Sequence, residues 1–220
     1  MIFPTNTELD QYITDGREPL GGFPSGCIVT LVQMDTRVAA TSLCRELTDP
    51  VHSFWFTDEH PAWWGMRSTN GSDSTMLQGM MLRDGTSTLK YVAGVSHLAE
   101  WILSLPEWFE YNAYIVDSVM GLQEDLVSLE LLNAMPAIHK FSAEYDALVV
   151  FVTQMHHDPN TGDDYFTGEK AFKENSEYII TLDRTSDDEH TKYLASCIWS
   201  PTGCRFENVE WTLPSRREHG

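Results

Sequence analysis

The sequence predicts an α/β domain with a mostly parallel central sheet, helices on both of its faces, and an antiparallel hairpin near the C-terminal end. Three observations predict it. An apolar, β-branched run of central-strand length lies at residues 27–32, and further strand-like runs recur at 51–56 and 147–153. Stretches with helical spacing lie between such runs, and the connections are a dozen residues or longer, as parallel neighbours require. A chain of 220 residues is long enough for one sizeable core and short for two. A single domain over 1–220, with its core at about 5–213, is therefore expected.

Taken in order, residues 5–13 offer Thr5 or Thr7 as a helix cap and Leu9, Tyr12 and Ile13 as an apolar side, predicting a short helix. The glycines and proline of 21–26 (GGFPSG) punctuate the chain before strand 27–32, and helical spacing returns over 38–47. Residues 51–56 (VHSFWF) read as a second strand running into Thr57, Asp58 and Glu59. Trp63 and Trp64 then stand in a loop or helix start, as an exposed contact patch or as filling for a core edge. A short helix is expected around 75–82, with Met76, Met80 and Met81 as adaptable packing, then a strand over 90–95 and a helix over 97–105 ended by Pro106.

The second half continues the alternation. An apolar strand within 111–121 (YNAYIVDSVMG) ends in Asp117 and Ser118. Helix 122–135 follows, with Leu122, Leu126, Leu129 and Leu132 towards the sheet, kinked or ended by Pro136. Strand 147–153 leads to Gln154. A short helix over 168–175, a strand over 177–182 and a hairpin of 192–199 with 206–213 complete the chain.

Composition bounds the function. Hydrophobic residues make up 42% and aromatic residues 11%, too much for a disordered chain, and no apolar run approaches the ~20 residues of a membrane span. The start, MIFPTNTELD, lacks a basic segment followed by an apolar one, so no secretory signal is expected and the protein is read as cytoplasmic. The net charge of −19, from 33 acidic and 14 basic residues, points to a halophilic cytoplasm, where salt screens an acidic surface. It argues against direct nucleic-acid binding, which rests on clustered Lys and Arg. The four cysteines, Cys27, Cys44, Cys197 and Cys204, form no C-x-x-C pair and are read as buried thiols; Cys197 and Cys204 flank the 201–203 turn and approach one another if it closes a hairpin.

The stretch 21–47 runs from turn to strand to loop to helix. That arrangement suits a phosphate-binding loop, because free N–H groups at a helix start attract anions. A working loop of this kind reads G-x-x-x-x-G-K-S/T. Here the segment is Gln33, Met34, Asp35, Thr36, Arg37, Val38, Ala39, Ala40, Thr41 and Ser42, with no glycine and with Ala39 or Ala40 at the lysine position. Asp35 adds negative charge where a triphosphate would sit. Arg37, Thr41 and Ser42 are the remaining residues able to serve one.

The order T-x-x-LD, then GGFPSG before an apolar strand, then loop and helix, resembles the start of the RecA/RadA/KaiC-like ATPase domain in its archaeal, here haloarchaeal, KaiC-like branch. The resemblance covers roughly residues 5–212 and implies a RecA-like P-loop NTPase fold with a degenerate Walker A loop. By the same resemblance, Asp58 and Glu59 match the acidic pair that helps activate the attacking water, Asp117 the Walker B aspartate that helps hold magnesium, and Gln154 a polar γ-phosphate sensor. Each also has a plain reading: Asp58 and Glu59 as a solvated strand end, Asp117 as a loop acceptor, Gln154 as a partner for a neighbouring loop. The family carries a basic residue after the first hairpin strand, where Trp199, Ser200 and Pro201 stand here, with Arg205 as a weak substitute. His156, His157, Asp158, Asp163 and Asp164 cluster around a loop and are read as solvated, a metal site being the alternative.

These features lead to a non-catalytic pseudo-ATPase that serves as a regulatory or protein-interaction module, with no cofactor expected. Its partner would be a second copy or an active RecA/KaiC-like relative. Two alternatives stand beside it. One is a weak or unconventional ATPase that binds Mg-ATP; the other is an accessory recombination paralogue of RadA type.

Overall fold

The computed structural model describes residues 1–34, 38–48, 53–57, 76–78, 112–117, 119, 124–185 and 192–212. Eleven strands lie in them: β1 Ile2–Phe3, β2 Phe23–Pro24, β3 Ile28–Gln33, β4 Ser53–Thr57, β5 Met76–Gln78, β6 Ala113–Asp117, β7 Leu148–His157, β8 Asp164–Phe166, β9 Tyr178–Thr185, β10 Lys192–Trp199 and β11 Phe206–Trp211. The helices are α1 Val38–Thr48, α2 Glu124–Tyr145 and α3 Glu169–Asn175, preceded by a 3-10 turn at Glu8–Gln11. Nine strands form one sheet in the order β11-β10-β9-β3-β7-β6-β4-β5, with β8 paired to β7 off that path; β1 and β2 pair separately. The pairs from β9 through β3, β7, β6 and β4 to β5 are parallel, and β10 and β11 are antiparallel. The α/β class and the terminal hairpin are as the sequence predicts.

The strand alternation builds two cores. Val29 and Leu31 of β3, Ile115 of β6, Val150 and Val152 of β7 and Ile180 of β9 face α1, meeting Ala40, Leu43, Cys44 and Leu47. On the other face Ile28, Val32, Val116, Val149, Phe151 and Ile179 meet Leu131, Met135 and Ile138 of α2 and Phe172 of α3. Because side chains alternate along a strand, a near-continuous apolar run such as β3 must be buried on both sides, and all six of its residues are. Each such side chain taken from water contributes about 1.5–3 kcal/mol before entropy is charged against it.

The GGFPSG turn has a steric reason. Gly22 has φ +142, and a Cβ there would lie 2.3 Å from the Phe3 carbonyl oxygen, so only glycine lets β1 close on β2.

Several elements differ from the sequence reading. Within residues 5–13 the helix is only a 3-10 turn at Glu8–Gln11, with Thr7 accepting from the Leu9 N–H as cap. Around 75–82 the described residues are a strand, not a helix: β5 pairs with β4 through Ser53–Met76, Phe54–Leu77 and Trp55–Gln78. A free sheet edge there overrides the local preference of a Met-rich segment. Helix α2 does not stop at Pro136 but runs through it to Tyr145. Pro136 is exposed between buried Met135 and Ile138, so the carbonyl it leaves without a helical donor is on the watered side. Among the described side chains, the buried face of α2 is Leu131, Ala134, Met135, Ile138 and Phe141, with Leu132 only partly covered; the burial of Leu122, Leu126 and Leu129 lies outside the described residues. Strand β7 passes Thr153 and reaches His157, so Gln154 is inside it. The tryptophans at 63 and 64, the strand over 90–95 and the helix over 97–105 lie outside the described residues. None of the described helices is long and apolar enough to cross a membrane.

Candidate functional site: the polar end of the α1 face

Parallel strands bring their C-terminal ends to one edge of the sheet, where α/β proteins bind ligands. In this chain the register sets Gln33 of β3 beside Gln154 of β7, and Asp117 of β6 beside Val152. Two-residue alternation puts Gln33 on the face of Val29 and Leu31, Gln154 on that of Val150 and Val152, and Asp117 on that of Ala113 and Ile115. All three polar side chains thus share the α1 face at one edge. Helix α1 enters there, directly after the loop that follows β3.

Thr41 is in the first turns of α1, and its hydroxyl donates to Asp117 Oδ2 at 2.6 Å. Thr41 is 4% exposed and Asp117 6% exposed, so the contact is sheltered from water. A charge-assisted hydrogen bond to a buried carboxylate is among the stronger polar contacts, at about 1.5–3 kcal/mol. One helical step on, Cys44 is fully buried, and burial followed by the charge of Asp117 pushes its thiol well up. Ala40, one of the two residues at the lysine position, is fully buried in the core with Leu43.

Gln33 was not singled out as a functional residue by its sequence. It is 3% exposed, and its Oε1 has no hydrogen-bond partner. A buried amide oxygen without a donor costs about 1–3 kcal/mol. The signal for it was the continued alternation Val29, Leu31, Gln33, which ends an apolar stripe in an amide; its neighbour Gln154 becomes visible only with the register.

The remaining candidates are distributed as follows. Ser42 is half-buried next to Thr41, and Gln154 is half-buried within β7. Arg37, Asp58 and Glu59 lie outside the described residues. The His156–Asp164 segment is a hairpin rather than a plain loop, with His156 paired to Tyr165 and His157 to Asp164 in register. His157 Nδ1 meets Asp164 Oδ1 at 2.9 Å, and the His156 ring lies 5.4 Å from that of Tyr165. Among the described residues no group of three or more His, Cys, Asp or Glu side chains converges as metal ligands would. In the terminal hairpin, a register shift between Cys197 and Trp199 turns Trp199 onto the α2 face, and the Arg205 guanidinium donates to the Ile198 carbonyl of its own hairpin at 3.1 Å.

No family description matches the chain, and no curated protein matches it in sequence. Solved structures do match in fold. The KaiC-like protein PH0186 from the hyperthermophilic archaeon Pyrococcus horikoshii OT3 superposes with a TM-score of 0.56 at 13% identity, over 91% of this chain and 93% of that one. The RadB recombinase superposes with a TM-score of 0.57 at 13% identity, over 86% and 87%. The chain has a RecA-like α/β fold, similar to these proteins over nearly its whole length.

Proposed function

We propose that this chain is a non-catalytic RecA/KaiC-like pseudo-ATPase that acts as a regulatory or protein-interaction module. The observation that carries the reading is the buried Thr41–Asp117 pair, taken with a 33–42 sequence that has no glycine and no lysine. In the ATPases of this fold those positions serve Mg-ATP. Here Thr41 directs its hydroxyl to the carboxylate, and the 33–42 segment lacks the lysine that a triphosphate needs. The donor set does not fit Mg-ATP, so no catalytic step is assigned. Asp117 instead acts as an internal acceptor that fixes α1 against β6.

Losing a lysine and several backbone donors, each worth about 1.5–3 kcal/mol to a phosphate, moves nucleotide affinity to the millimolar range or beyond. The partner is then another protein: a second copy, or an active chain of the same fold, as the likeness to a KaiC-like protein and a recombinase suggests. The acidic charge favours a protein partner over nucleic acid.

One observation favours a second reading, a weak or unconventional nucleotide site. The unpartnered Gln33 Oε1 is an acceptor at the same edge and would suit a donor such as an adenine amino group. An ATP hydrolysis assay in high salt separates the two. The pseudo-ATPase predicts no turnover above the background of Asp117→Ala protein. Turnover by the wild type that Asp117→Ala abolishes would overturn it.

A further inference from the structure

We draw no further inference here: the strongest candidate, the β7–β8 hairpin where exposed Tyr165 stands beside an acidic turn of Asp158, Asp163 and Asp164, carries nothing, since among the described residues nothing shows what covers it.

Discussion

The two faces of the central sheet are alike through their middles and differ at one end. On the α2 face the apolar side chains continue to the edge as Val32 and Val116, and the hydroxyl of Thr153 is satisfied by the Thr167 carbonyl at 3.4 Å. On the α1 face the same strands change character in their last step, from Leu31 to Gln33, from Ile115 to Asp117 and from Val152 to Gln154. A core needs no amide or carboxylate there, and each costs free energy unless it finds a partner. The contrast marks the α1 side as the polar edge of the sheet. It also separates the three groups: Asp117 has its Thr41 donor, while Gln33 keeps an oxygen with none.

Substitutions on the two faces should therefore behave differently. The largest effect is expected on the α2 face. Phe151→Ala, which empties a ring packed 5.3 Å from that of Phe172, should cost about 3–5 kcal/mol in urea unfolding. A loss below about 1 kcal/mol would mean that this face is not close-packed. Thr41→Val should rank next, at about 1–3 kcal/mol, because it removes a donor from buried Asp117 while keeping the side-chain volume. Gln33→Leu should have the opposite sign, leaving stability unchanged or raising it by about 1 kcal/mol, since it deletes an unpartnered oxygen. Equal destabilisation by Thr41→Val and Gln33→Leu would break the distinction between a satisfied and an unsatisfied polar edge.

The smallest effect is expected away from both faces, at the β7–β8 turn. The backbone N–H of Asn160, and then that of Thr161, hold the exposed Asp158 carboxyl below the ordinary carboxylate range. Its contribution is present above the unfolded value of about 4 and is lost as pH falls through the lowered folded value. An NMR titration should find Asp158 below a model peptide, and Asp158→Asn should remove the acid-side loss at this turn without touching the polar edge of the α1 face.

The sequence was informative where residues carry their own geometry. The runs that became β3, β6, β7 and β9 are apolar and β-branched because both faces are covered, and the motif order placed Thr41 and Asp117 as candidates for one edge. Features decided by distant partners were not legible. β5 is a strand because β4 offers it an edge, α2 passes Pro136 because that residue faces water, and Gln33 gains meaning only beside Gln154. Residues 12–14 meet 202–204, a contact that no local pattern announces.

The central proposal, that Asp117 at this edge is structural rather than part of a nucleotide site, is tested most directly by isothermal titration calorimetry with Mg-ATP in high salt, on wild type and Asp117→Ala. The account predicts no saturable heat at micromolar nucleotide for either protein. Micromolar, magnesium-dependent binding by the wild type that disappears in Asp117→Ala would contradict it.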